Sequence, residues 1–294
     1  NLTGYAARTR VPDRSREVVE GTSYRGRFDY TDDRYGLSAE HMLIDRGFNP
    51  EMGFTRRTDV RRTFAQARFS PRPRRSRVVR KLTWQTSLDY VTDADASALQ
   101  TREASALFRV DFQSSDQMSV EYTREFERLP ARFTVAPGVF VPAGTYGSET
   151  TRFSYTMGQQ RRISGRMSVA RGTLYGGTRT EATYSGRWGV LPQFSIEPSL
   201  SFNRAELPYG SFYARLMSSR LTVTPTARML ISSLVQYNVD AHILSSSVRL
   251  RWEYIGGSEL FVVYSDGRDT TYRNRPGLQN RSFAVKVTRL FRIG

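Results

Sequence analysis

The chain has no cysteine, only two histidines (His41 and His242) and only two lysines (Lys81 and Lys286). Without cysteine there is no disulfide, no thiolate metal site and no thiol nucleophile, and the compartment stays open because an oxidising space does not demand cysteine. Long apolar runs are missing too. Nothing in the 294 residues approaches the roughly 18 consecutive apolar positions of a spanning helix, which excludes a helical membrane protein and leaves a β-barrel open. Asn1 to Arg10 shows no charged-then-apolar leader. A mature, trimmed or partial chain is therefore expected, and of these a partial one.

What is present points to a packed fold. Hydrophobic residues make up 38% of the chain and aromatics 12%, too much for a solvated polymer. The net charge of +16 is carried almost wholly by arginine. Arginine grips carboxylates and phosphates bidentately, but a genomic base-composition bias produces the same excess. The arginines are spread over almost every segment, with no confined basic stripe and no aromatic reader motif, so nucleic acid is not an expected partner.

The apolar pattern has period two, and capped helical spacing is nowhere sustained. Phe194, Ile196, Pro198, Leu200 and Phe202 alternate with Ser195, Glu197, Ser199 and Ser201. Val248, Leu250, Trp252 and Tyr254 alternate with Ser247, Arg249, Arg251 and Glu253, and Phe283, Val285 and Val287 with Ser282, Ala284, Lys286 and Thr288. Met118, Val120 and Tyr122 alternate with Ser119, Glu121 and Thr123 in the same way. A soluble sandwich turns such an apolar face inward, whereas a membrane barrel turns it to lipid and lines its lumen with the charges.

Strand length and loop rhythm separate the two readings. Sixteen strands are expected near residues 1–9, 21–30, 34–45, 58–70, 78–91, 98–113, 117–128, 149–158, 161–171, 179–190, 193–204, 210–223, 228–238, 243–255, 258–267 and 280–292. Short links (31–34, 114–116, 159–160, 191–192, 256–257) alternate with longer ones (11–20, 46–53, 130–148, 171–179, 269–278) rich in glycine, proline and charge. An even strand number with one short-turn end is the rhythm of outer-membrane barrels. The expected fold is thus an all-β, antiparallel transmembrane β-barrel of about 16 visible strands over residues 1–294, with more in a full-length protein. The basic link Ser70 to Arg77 (SPRPRRSR) is a long exception on the short side, and it or Pro198 is expected to mark a bulge. Aromatic girdles are expected at Tyr90, Phe126, Trp188, Phe202, Tyr237, Tyr254 and Phe291. Arg124, Arg215 and Arg289 fall on apolar rows and belong at interfaces or outside lipid, where their cost is small.

Several longer stretches carry a family likeness: GFNPEMGFTRRTD (Gly47 to Asp59), FSPRPR (Phe69 to Arg74), YGG (Tyr175 to Gly177), LVQYN (Leu234 to Asn238), VRLRWEY (Val248 to Tyr254), GSELFVVYSDGRDT (Gly257 to Thr270) and LQNRSFAVKVTRLFR (Leu278 to Arg292). Together they resemble the domain-of-unknown-function family 5916, bacterial proteins whose C-terminal part looks like an outer-membrane barrel. The resemblance implies a secretion signal and a carbohydrate-binding family 9-like module ahead of the barrel, further strands before Asn1, and residence in the outer membrane of a Gram-negative cell envelope.

The function expected is a pore or port for carbohydrate-related or anionic solutes; the alternative is a non-conducting structural, assembly or surface-anchoring barrel. Lumen-lining candidates are Arg109, Asp111, Glu121, Arg152, Arg166, Glu197, Arg249, Arg251, Glu253 and Lys286. An excess of arginine there would focus positive potential on a passage, whereas mutual pairing would only stiffen the wall. Lipid-facing candidates are Phe194, Ile196, Leu200, Phe202, Val248, Leu250, Trp252, Phe283, Val285 and Val287. The cluster Asn49, Pro50, Glu51, Arg56, Arg57 and Asp59 could plug a lumen or merely fasten a loop. No catalytic residue is assigned: His242 beside Ser245, Ser246 and Ser247 lacks any orienting partner. No metal or cofactor is expected, because His41 and Asp45 on one strand would stand about 14 Å apart at ~3.4 Å per residue. The expected partners are outer-membrane lipid, a carbohydrate or anionic solute, and other envelope proteins.

Overall fold

The computed structural model describes residues 1–12, 18–51, 53–55, 57–272 and 276–291, and every regular element among them is a β-strand. In chain order these are β1 (Leu2–Pro12), β2 (Val18–Thr31), β3 (Tyr35–Ile44), β4 (Val60–Phe69), β5 (Val79–Thr92), β6 (Leu99–Phe112), β7 (Gln117–Leu129), β8 (Phe133–Ala136) and β9 (Val139–Val141). They continue as β10 (Gly144–Thr156), β11 (Ile163–Leu174), β12 (Gly177–Leu191), β13 (Phe194–Leu207), β14 (Gly210–Thr226), β15 (Met229–Asn238), β16 (Ile243–Ile255), β17 (Ser258–Asp269) and β18 (Gly277–Thr288). β1 to β7 and β10 to β18 form one sixteen-stranded antiparallel sheet in chain order, while β8 and β9 pair separately within the link from β7 to β10. The strands run 10 to 17 residues within that sheet, long enough to cross a bilayer.

Two connections differ from the sequence reading. The stretch 171–179 is no long loop: β11 runs to Leu174, and Tyr175 and Gly176 alone make the turn, both at positive φ (45° and 79°). Paired positive φ angles match the right-handed twist of a two-residue hairpin, which is why a glycine stands second. The stretch 130–148 contains the β8–β9 hairpin, and β10 already begins at Gly144. Val141 of that hairpin is fully buried, and a methyl group at Gly210 would stand 3.2 Å from Val139. Of the expected link 11–20, residues 13–17 lie outside the described residues.

The folded chain comprises two compact units, residues 1–153, 170–179 and 205–211 in the first and 154–169, 180–204 and 212–294 in the second. In both units the sheet is turned inside out relative to a water-soluble fold. Leu200 (46% accessible), Val285 (52%), Phe202, Val248, Trp252, Phe283 and Val287 are exposed, and Phe194, Ile196 and Leu250 of the same rows are half-buried. The buried set includes Ser23, Glu40, Thr83, Asp111, Ser154, Ser168 and Ser195, while the buried apolar side chains are alanines, valines and one leucine. Soluble proteins bury their large apolar side chains and leave charged ones out.

Aromatic residues gather in rows across the exposed face. In the first unit Tyr35, Phe69, Trp84 and Phe108 are direct cross-strand neighbours, with successive ring centroids 5.4, 6.0 and 5.1 Å apart. Six residues farther along their strands, His41 and Tyr90 begin a second row, and Tyr24 lies 5.8 Å from His41. Six residues span about 20 Å along a strand. In the second unit Trp188 and Trp252 each sit three residues before the end of a strand that enters a two-residue turn. Of the aromatics expected from sequence, Tyr90, Trp188 and Phe202 are exposed on this face, Phe126, Tyr237 and Tyr254 are half-buried, and Phe291 follows the end of β18.

The turn between β2 and β3 clasps the basic link between β4 and β5. Asp33 receives Arg72 Nε at 2.7 Å and Nη2 at 2.6 Å, with Lys81 Nζ at 3.5 Å. A bulge follows at Arg80, between Val79 and Lys81. The Arg72 guanidinium, backed by Lys81, holds the Asp33 carboxyl down at about 2. A depressed carboxyl stabilises the clasp above its ordinary pKa, and that contribution is lost as pH falls from about 4 to about 2. Carbon-detected NMR titration should place the Asp33 midpoint near 2, and Arg72→Ala should return it toward the ordinary ~3.9.

Candidate functional site

The polar face of the sheet gathers the ionisable side chains. In the first unit the register sets Asp29 opposite Ser38, Arg27 opposite Glu40, and Met42 opposite Arg62. Glu40, only 6% accessible, takes Arg25 Nη2 at 2.5 Å, Arg62 Nη1 at 3.2 Å and Arg27 Nη1 at 3.6 Å. Arg62 also reaches Asp89 at 2.5 Å, and Arg27 holds Asp29 at 2.6 Å, which in turn accepts from Ser38 at 2.7 Å. Arg27, Asp29, Ser38, Glu40 and Arg62 edge a hollow of about 420 Å3 together with Gln66 and Arg68. Beyond Asp89 the row turns acidic, with Glu103 directly between Asp89 and Glu125 and with Glu121 four residues from Glu125 along β7. Like charges placed opposite one another repel, so the arginines beside Asp89 offset part of that cost.

The second unit carries the opposite character. Arg220, Thr222, Ser232, Ser247 and Arg249 converge, with Leu230 and Leu234, on a hollow of about 270 Å3. The register explains the convergence: Thr222 pairs with Ser232 and Ser232 with Arg249, while Arg220 pairs with Leu234 and Leu234 with Ser247. Among the described residues no carboxylate forms an ion pair with Arg220 or Arg249. Two guanidiniums and three hydroxyls form a donor-rich surface suited to an anion.

The sequence candidates divide between these environments. Arg109 and Asp111 share β6, with Arg109 Nε 3.9 Å from the Asp111 carboxylate, and Glu121 stands opposite Leu107 on β7. Arg152 is half-buried two positions from buried Ser154 on β10, and Arg166 donates to Ser154 at 3.3 Å. Glu197 is half-buried on β13. Arg251 pairs with Glu259 through Nη2 and through Nε at 3.1 Å, and Lys286 faces Phe261 across β17 and β18. Glu253, two residues from Arg251 on β16, accepts the Gly257 amide at 2.9 Å and fastens the β16–β17 turn. β17 also brings Phe261 and Val263 to the same face as Arg249 and Arg251, so that face is less polar there than the alternation of β16 implies.

Arg289 lies beyond β18, whereas Arg215 is the sixth of seventeen residues of β14, tied to Asp240 of the β15–β16 turn at 2.8 Å. Arg124 departs from the expectation. It is the eighth of thirteen residues of β7 and pairs with Glu149 at 3.4 Å. The loop cluster acts as a fastening: Arg46 holds Asp59 at 3.0 Å, Asp59 accepts the Ala94 amide at 3.2 Å, and the Asn49 amide donates to Thr9 at 3.1 Å. Arg56 lies outside the described residues, as does the chain end Arg292 to Gly294. His41 bonds Thr63 at 2.9 Å among the exposed-face rings, and His242 forms part of the turn before β16 at a φ of 52°.

Sequence reasoning missed Arg220, Glu40, Arg62 and Glu259. Arg220 and Thr222 alternate with Leu221 and Val223, so the period-two signal was there. Glu40 carried no such signal, because its three arginines come from two neighbouring strands. Glu40→Ala should lower stability by about 2 kcal/mol, since it strands three cations that are themselves only partly screened. Glu40→Gln, which keeps an acceptor, should cost less. The temperature at which the compact electrophoretic band is lost measures both.

No protein-family model matches the chain, and no curated protein matches it. Among solved structures, the ferric enterobactin receptor PfeA of Pseudomonas aeruginosa is similar at 10% identity and a TM-score of 0.44, over 91% of this chain and 53% of the receptor. This chain thus spans about half the length of that receptor. A bacterial polysaccharide outer membrane secretin is similar at 12% identity and a TM-score of 0.43, over 97% of this chain and 94% of the other.

Proposed function

We propose that this chain forms a β-barrel of the bacterial outer membrane whose polar face lines a passage for anionic solutes. The observation that carries the proposal is the inverted distribution of side chains. Trp84, Trp188 and Trp252 are all exposed beside Leu, Val and Phe, while Ser, Thr, Asp and Glu are buried on the other face. Such a surface is stable against hydrocarbon and costly against water. Backbone groups in hydrocarbon must also be satisfied internally, and β2 to β7 and β10 to β17 have a hydrogen-bonded neighbour on each side.

The anion preference rests on Arg220 and Arg249. Their uncompensated charge stands on the polar face, where a low-dielectric wall strengthens its field. The network around Glu40 favours a second role for the first unit: its charges neutralise one another and brace the wall, as a scaffold requires. A port serving a carbohydrate-handling module is the form the family resemblance supports.

Two measurements test this reading. In planar bilayers the protein should conduct, and Arg220→Glu with Arg249→Glu should shift the reversal potential in a salt gradient toward cation selectivity. A closed, folded barrel that passes no ions defeats the passage and leaves the scaffold. For the membrane itself, Leu200→Arg should reduce folding into vesicles by up to about 2–4 kcal/mol, whereas Ser201→Arg on the opposite face should cost far less. Equal effects at the two positions would mean that the apolar face does not meet lipid.

A further inference from the structure

The link Ser70 to Arg77 stands apart from everything the passage requires. Together, segments 31–34 and 70–81 hold seven cations (Arg34, Arg72, Arg74, Arg75, Arg77, Arg80 and Lys81) against two carboxylates, Asp32 and Asp33. Asp33 engages Arg72 and Lys81. Among the described residues no carboxylate forms an ion pair with Arg34, Arg74, Arg75, Arg77 or Arg80.

An apolar groove of about 810 Å3 opens beside this cluster on the exposed face of the first unit. Its floor is a cross-strand row of small side chains, Ala67, Thr86 and Ala106, set between Leu37 at one end and Tyr122 at the other. The ring row of Phe69, Trp84 and Phe108 forms the flank one step nearer the cluster. Small residues beneath large ones leave a trough. Arg34 joins groove to cluster, because its guanidinium lies 5.3 Å from the Phe69 ring centroid and 5.4 Å from that of Tyr35.

An apolar trough with Arg34 against its flanking rings, and with further uncompensated arginines in the link that follows Phe69 along the chain, is complementary to a molecule with an apolar body and an anionic head. We infer that this groove seats an anionic glycerophospholipid, with acyl chain over Ala67, Thr86 and Ala106 and phosphate among Arg34, Arg74, Arg75, Arg77 and Arg80. The inference rests on the membrane reading above, which makes this face lipid-facing. Charge complementarity selects the occupant: a zwitterionic lipid would leave the excess cations unmet. The link lies on the end where the other turns of the first unit, 32–34 and 113–116, are short, so the lipid belongs to the leaflet at that end.

Trp84 lines the groove and provides the readout. The full chain carrying Trp188→Phe and Trp252→Phe, reconstituted in phosphatidylcholine vesicles, is titrated with acyl-brominated phosphatidylglycerol or acyl-brominated phosphatidylcholine at equal mole fraction. Trp84 fluorescence should be quenched by both, with the anionic lipid preferred about fivefold or more, the effect of one basic side chain near an anionic surface. Replacing Arg34, Arg74, Arg75, Arg77 and Arg80 by Gln should abolish the preference while leaving the quenching by phosphatidylcholine. Equal quenching by the two lipids in the parent chain overturns the lipid site and spares the membrane reading. Absence of quenching by either overturns both. A preference erased by millimolar inorganic phosphate at constant ionic strength overturns the lipid assignment in favour of a free-anion site.

Discussion

The inner strands of this sheet, β2 to β7 and β10 to β17, each have a hydrogen-bonded neighbour on both sides, so what remains for their side chains is a choice between two faces. The period-two pattern makes that choice for most strands, β17 being apolar on both faces at Leu260 to Val263, and a slip of one residue in a pairing would exchange the apolar and polar rows. Everything else in the molecule depends on this alternation. It sends Leu200, Val248 and Val285 to the exposed face and draws Glu40, Asp111 and Ser154 into the less accessible one. The apolar face thus stands exposed, and the fold buries few apolar side chains in its place.

Charge on the polar face is arranged in two different ways. Around Glu40 every cation has an acidic neighbour, and the network ties β2, β3, β4 and β5 across their shared face. Around Arg249 the guanidiniums stand without carboxylates, beside hydroxyls. A self-neutralised patch stiffens; an uncompensated one attracts a counter-ion.

The exposed face is also not uniform. Its aromatic rows and its small-residue trough arise from the same register, since Tyr35, Phe69, Trp84 and Phe108 fall in one cross-strand line and Ala67, Thr86 and Ala106 in the next. Arg124 and Glu149 interrupt this face as a pair, each offsetting the other's charge. The basic link after β4 carries arginine past the strand ends.

All-β character, the sixteen strands of the main sheet and most strand limits were legible in the sequence, because each depends only on a residue and its neighbours two positions away. The two-residue turn at Tyr175 and Gly176 was read as a loop, since the backbone sign that closes it is a property of φ and not of composition. The hairpin at β8 and β9 was hidden for a related reason: three or four residues carry too short an alternation to stand out. The joining of Arg25, Arg27 and Arg62 on one carboxylate, of Arg220 with Arg249, and of the aromatic row with its alanine floor was decided by tertiary structure alone. These groups lie on different strands, and only the cross-strand register, set by the whole ladder of hydrogen bonds, determines which of them meet.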